Sequence, residues 1–204
     1  MPATRRALIL AGAAFATAQL LAPLAFAQSP EELLVQDAVA YLDGINNIKA
    51  RFTQTDAKGD VAQGTLYLSR PGRARFEYDP PSTLLITSDG TNVVLTDSRL
   101  KTHQQFPLKS TPLALFLADH IRLDKGARIQ RVDRSPEGFS ITAQDGHGLA
   151  QGQVTLYFER TPIRLSGWAI VDPQGRLTRV TLEPFQAIPP PADAFFTQTP
   201  SPPM

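Results

Sequence analysis

The sequence predicts a mainly β protein, built on a large antiparallel sheet that is curled or closed. A helix lies at its start and a short apolar helix part-way along. Three observations carry this. Short segments in which apolar and polar residues alternate recur between residues 48 and 186, the period-two pattern of half-buried strands. Turn signals separate them: Lys58-Gly59, Pro71-Gly72, Asp89-Gly90, Asp97-Ser98, Pro136-Glu137-Gly138, Asp145 to Gly148, Thr161-Pro162 and Asp172 to Gly175. Only two stretches have helical character. Regular strands joined by hairpin turns favour one continuous sheet, here of about eleven strands.

The chain opens with Arg5-Arg6, an apolar run from Ala7 to Phe15, a polar break at Thr17 and Gln19, then Leu20 to Leu24 and Ala25-Phe26-Ala27. A basic start, an apolar centre and a small-x-small ending predict a secretory signal peptide over residues 1–27, cleaved after Ala27. The apolar run is interrupted and alanine-rich, which disfavours a permanent membrane span. The paired arginines leave general and twin-arginine export both open. Removing Arg5 and Arg6 leaves 18 basic and 19 acidic residues, a net charge of −1. No basic run remains to suggest nucleic acid or an anionic membrane as partner. The remaining residues, 28–204, suit a single domain with a substantial core. With no cysteine there is no disulfide, thiolate chemistry, cysteine zinc site or lipid-modified cysteine at the cleavage point.

The first helix is predicted from Glu31 to Leu42. Ser29 caps it, Pro30 opens it, and Glu31-Glu32 suit the positive end of its dipole. Leu34, Val35, Ala38 and Leu42 form its apolar stripe and Gly44 stops it. Strands then follow at about 48–56, 63–70, 73–79, 83–88, 92–97 and 100–105, and after an interruption at 127–134, 138–144, 152–159, 165–172 and 177–186. The strands flanking Pro71-Gly72 are the most informative. Leu66, Leu68 and Arg70 share one face, because side chains alternate across a strand. Ala74, Phe76 and Tyr78 share the apolar face of the return strand, with Arg73, Arg75 and Glu77 opposite. Arg70 therefore sits on a face that is otherwise apolar. Two readings are open: a buried guanidinium that must find acceptors, or a strand-end arginine snorkelling to water.

The interruption begins after His103 to Pro107. Thr111 and Pro112 can cap and open a short helix reaching about Ala118. Leu113, Phe116 and Leu117 fall on one side and Leu115 on another, so the helix is apolar nearly all round and must be covered on more than one side. It is either a core plug or a lid over an apolar cavity. Residues 188–204 are proline-rich and form a C-terminal arm.

No catalytic constellation is present in this pattern. His103, His120 and His147 lie in separate segments without ligand spacing, so no metal site is expected. Asp145-Gly146-His147 has no Gly-x-Ser-x-Gly elbow to accompany it and reads as a hairpin turn. No phosphate-cradling loop or dinucleotide fingerprint occurs. The expectation is a non-enzymatic protein without cofactor.

Five short motifs, read in order, resemble the LolA-type family of periplasmic outer-membrane lipoprotein carriers. They are Phe52-Thr53-Gln54, the Gly64-Thr65-Leu66 strand ending in Arg70-Pro71-Gly72, the aromatic return strand through Phe76 and Tyr78, Ser88-Asp89-Gly90, and Pro112-Leu113 opening the short helix. The resemblance spans about Pro30 to Pro200. It implies an incomplete, unclosed β-barrel whose open side is covered by helices, residues 28–187 forming that half-barrel. It implies a monomer whose cavity is lined by Phe52, Leu66, Leu68, Ala74, Phe76 and Tyr78, under a lid helix of Leu113, Leu115, Phe116 and Leu117. Arg70 would take the place of the family arginine that latches the lid through its backbone carbonyls, here around Ser110 to Leu117. The implied partners are acylated lipoproteins as cargo, an inner-membrane ABC transporter of the LolCDE type that loads them, and an outer-membrane receptor of the LolB type, or a substitute, that unloads them. One departure is Ala74, where the family usually carries an aromatic residue; a smaller side chain there would enlarge the cavity mouth or weaken a handover contact. A stress sensor on the same half-barrel is the alternative, although such sensors carry a second domain for which the chain has no room.

Overall fold

The structure is a computed structural model that describes residues 29–111, 113–119, 127–145 and 152–197. The expected signal peptide, Pro112, His120 and His147 lie outside the described residues, as do the side chains of Leu115 and Phe116. Helix α1 (Pro30–Asp43) starts on a capping box: the Glu32 amide donates to Ser29 Oγ at 3.1 Å and the Ser29 amide to Glu32 Oε2 at 2.8 Å. These reciprocal bonds satisfy two amides that the first turn leaves open. Leu34, Ala38 and Leu42 are buried, as a three- and four-residue spacing requires of one helix face. The Gly44 amide closes the helix on the Ala40 carbonyl at 3.2 Å.

Twelve strands follow in one antiparallel sheet: β1 (Asn47–Thr55), β2 (Val61–Ser69), β3 (Arg73–Tyr78), β4 (Leu84–Asp89), β5 (Asn92–Asp97), β6 (Thr102–Pro107), β7 (Ala127–Arg134), β8 (Gly138–Asp145), β9 (Gln153–Arg160), β10 (Ile163–Val171), β11 (Leu177–Leu182) and β12 (Gln186–Ala187). Their spatial order is β6-β5-β4-β3-β2-β1-β11-β10-β9-β8-β7, with β12 added against the start of β1. Strands β6 and β7 remain at opposite edges, so the barrel is unclosed, as the family resemblance implies. Between them runs the short helix α2 (Leu113–Leu117).

One expected strand is two. The 177–186 segment leaves the ladder after Leu182 and rejoins β1 only at Gln186. Pro184 lies in the gap and has no amide to donate to a ladder.

The inner face of the sheet carries one apolar core. Ile48, Ala50, Phe52, Leu66, Leu68, Ala74, Phe76, Ile141, Leu156, Phe158, Trp168, Val180 and Leu182 contribute to it with the buried side of α1 and with Leu117. Aromatic rings build its centre: Phe139 stacks on Phe158 at 4.9 Å, and Tyr41 of α1 meets Phe158 edge-on at 6.3 Å. The outer face is polar along most of its length, with Lys49 exposed and Arg51 paired to Asp79.

Arg75 lies on the outer face as expected, but part of that face is covered. The C-terminal arm folds back as a single 3₁₀ turn (Asp193–Phe196) over β3 and β4. Arg75 Nη1 donates to the Phe195 carbonyl at 3.0 Å, its guanidinium lies 4.8 Å from the Phe195 ring, and its Nε reaches Glu77 at 2.7 Å. Tyr67 meets Phe195 edge-on, Arg73 pairs with Asp193, and Phe196 is fully buried. Arg75 thus points outward as its alternation demands, yet is only 8% exposed.

Candidate functional site: the apolar inner face and its lid

Register aligns the expected lining residues. Phe52 stands across from Gly64, and Gly64 across from Tyr78; Leu66 pairs with Phe76 and Leu68 with Ala74. Gly64 has a steric reason: a Cβ there would lie 2.6 Å from Phe52 Cζ and 2.3 Å from the Glu77 carbonyl oxygen. Its absence lets the Phe52 ring cross the strand and meet Tyr78 at 5.1 Å and Phe76 at 5.7 Å, both edge-to-face. Phe76 continues the series to Trp168 at 6.3 Å. Phe52, Leu66, Leu68, Ala74 and Phe76 are buried and Tyr78 is half-buried against them. The Tyr78 hydroxyl donates to Gln54 Oε1 at 2.8 Å, and burial pushes its ionisation up to about 12 against that bond. A hydroxyl at the rim of an otherwise apolar set stays neutral.

Of the expected lid residues, Leu113 and Leu117 pack on the same core, Leu117 fully buried. The Thr111 hydroxyl turns back to the Leu108 carbonyl at 2.8 Å, and the Thr111 carbonyl takes the Ala114 amide at 3.1 Å. Helix α2 is held at its far end by the β2–β3 turn: the Gly72 amide donates to the Leu117 carbonyl at 2.8 Å. Gly72 adopts φ +77°, and a Cβ on it would come within 2.5 Å of Gly90 Cα, so this approach needs glycine.

Arg70 precedes that turn with its side chain 3% exposed, which settles its burial against snorkelling. Its amide donates to the Asn46 carbonyl at 2.9 Å, and Nη1 lies 3.8 Å from Asp43 Oδ1. Burial lowers the pKa of the guanidinium, while the Asp43 and Asp119 carboxylates favour its charge. Sequence reasoning missed the polar groups around it. Ser69 Oγ donates to Asn47 Oδ1 at 2.7 Å and Ser88 Oγ to the Gly72 carbonyl at 2.6 Å. Ser88 occupies an inward position of β4, and a small polar residue in an apolar alternation is the signal that could have found it. A groove of about 810 Å³ opens beside this turn, between Pro71, Gly72, Gly90, Leu108, Leu117 and Asp119.

Among the described residues no group of three or more metal-ligating side chains occurs, and His103 lies exposed on β6. No described helix is long and apolar enough to cross a membrane.

The fold is an unclosed antiparallel barrel, apolar within, on whose inner face the two helices pack, and that face is the candidate binding site. The family model for the outer membrane lipoprotein carrier protein LolA matches residues 43–199, and the chain belongs to that family. It is 30% identical to an outer-membrane lipoprotein carrier protein of Methylibium petroleiphilum, over 74% of this chain and 79% of that one. With the protein of the same name from Chromohalobacter salexigens it shares 27% identity, over 71% and 72% of the two chains. The solved LolA superfamily protein from Nitrosomonas europaea is similar over 80% of this chain and 97% of that one, at 9% identity and a TM-score of 0.49.

Proposed function

We propose that this chain is a periplasmic carrier that shields the acyl chains of lipoproteins against its inner face, receives them from an inner-membrane ABC transporter of the LolCDE type and passes them to an outer-membrane receptor of the LolB type or a substitute. In this reading residues 1–27 are the export signal, removed after Ala27, residues 28–187 are the carrier domain, and no step is enzymatic. The observation that carries it is the pairing of an apolar inner face with a five-residue lid resting on it, in a chain of the LolA family. Phe52, Leu66, Leu68, Ala74, Phe76 and Tyr78 would contact the acyl chains once the lid of Leu113, Leu115, Phe116 and Leu117 moves aside. Arg70 would latch that lid when empty.

The energetics require such a device. Each methylene moved into water costs about 0.8 kcal/mol, so exposing a chain of about 16 carbons costs about 12 kcal/mol. Spontaneous crossing of an aqueous compartment is then negligible, whereas a soluble apolar face removes the barrier. Closure of the lid on the emptied face recovers the buried area of Leu113 and Leu117, which favours release.

The test is depletion in the native host with mass spectrometry of the protein purified from its own periplasm. Acylated lipoproteins should co-purify, and depletion should strand outer-membrane lipoproteins in the inner membrane. Normal sorting in depleted cells, with only free lipid bound, would overturn the carrier reading.

A further inference from the structure

The segment Ser69–Gly72 is a junction. Ser69 Oγ and the Arg70 amide bind the link between α1 and β1, at Asn47 and Asn46. The Gly72 amide binds the end of α2 at Leu117, and the Gly72 carbonyl accepts from Ser88. The stretch that follows α1 and the last residue of α2 are therefore bound by the same few residues. An acid also lies at or just beyond the end of each helix. Asp43 is the last residue of α1, where the helix dipole disfavours negative charge, and no basic residue sits in that last turn. Its carboxylate faces Arg70 Nη1 at 3.8 Å. Asp119 follows α2 by two residues and lines the same groove as Pro71 and Gly72.

Resting on the lid reading of α2 above, we infer that Asp43 and Asp119 are positioning residues. They hold the Arg70 guanidinium between the ends of α1 and α2, so that the two helices are released together. A latch made of lid carbonyls alone would hold α2 by itself and would be indifferent to either carboxylate. The arrangement proposed here makes the Arg70 charge the common anchor, and neutralising one acid loosens both helices.

The chain has no cysteine, so one introduced thiol reports one place. Ala114→Cys places it on the lid and Ala38→Cys on the buried face of α1. The rate at which a small thiol reagent labels each protein measures how often that helix lifts. In both backgrounds Asp43→Asn and Asp119→Asn should each speed labelling about threefold to fivefold, the size expected of partly exposed charge pairs. Asp119→Glu should stay within about twofold of the parent. Salt near 0.5 M should speed both parent proteins together and leave the doubly neutralised variant unchanged, since screening removes only charge interactions. The salt series touches neither acid, so it tests the point even if a variant folds poorly. Labelling rates that respond separately, α1 to Asp43→Asn and the lid to Asp119→Asn, would overturn the inference, as would unchanged rates in all variants. The assay contains no cargo or transporter, so its failure is distinct from failure of the carrier reading.

Discussion

Replacing Arg70 by leucine separates the proposed latch from fold stability. The side chain is 3% exposed, and burial opposes its charge. Replacing a whole buried ion pair by apolar residues is often neutral or stabilising by about 1–4 kcal/mol, whereas removing one partner is costly where the other charge stays buried. Asp43, whose side chain is 35% exposed, can turn to water once its partner is gone. That limits the cost, and with about 2–4 °C per kcal/mol for a domain of this size Arg70→Leu should melt within about 4 °C of the parent temperature. The lid should behave oppositely. If Arg70 latches the lid through one hydrogen bond to a carbonyl, as proposed, that bond from a charged donor is worth about 1.5–3 kcal/mol, and losing it would raise the open population roughly tenfold to a hundredfold. Loading from the transporter should then survive while release to the receptor falls, because closure no longer helps to expel lipid. Arg70→Lys keeps the charge but loses the fork of planar donors, and should fail at release to a lesser degree. The assay measures loading and release separately with purified membranes and a radiolabelled lipoprotein. Parental release by both variants would refute the latch.

Gly64→Ala should cost about 1–3 kcal/mol by forcing the Phe52 ring out of its place across the strand, read as a lowered midpoint in urea unfolding. Phe196→Ala should cost about 3 kcal/mol, the low end for a buried phenylalanine, and should make residues 188–197 the first site of limited proteolysis. For Tyr78 the folded-state pKa is raised to about 12 from 10.0. Its contribution is therefore complete below pH 10 and is lost as the pH rises from 10 towards 12. Phenolate absorbance should show Tyr78 and Tyr41 ionising above the ordinary range of a tyrosine, and Tyr78→Phe should flatten the loss of melting temperature across that window.

Local chemistry wrote most of the fold legibly. The capping box of α1, the Pro71-Gly72 turn and the alternation through Leu66, Leu68, Ala74 and Phe76 each depend on residues close in sequence, and each is found where the pattern places it. What was not legible lies between distant segments. Nothing near Arg75 says that Phe195, 120 residues on, will cover it. The break at Pro184 was visible as a residue type, but the pairing of Gln186 with Lys49 depends on where the chain goes next. At the site, the lining residues announced themselves by period, whereas Asp43 and Ser88 were readable only as anomalies: an acid at the wrong end of a helix dipole and a hydroxyl on an apolar face.

The strand order also bears on how the chain assembles. Strands β1 to β6 form one meander and β7 to β11 another, each from neighbours in sequence, and within the sheet they meet along the β1–β11 pairing from Phe52–Leu182 to Thr55–Arg179. Hairpins form in about 1–10 μs, but a contact spanning most of the chain must first overcome the entropy of closing that loop. The two meanders should therefore form early and the β1–β11 seam late. Until the seam closes, both halves show their apolar side and unpaired strand edges to solvent, and that interval is when the chain is most exposed to aggregation.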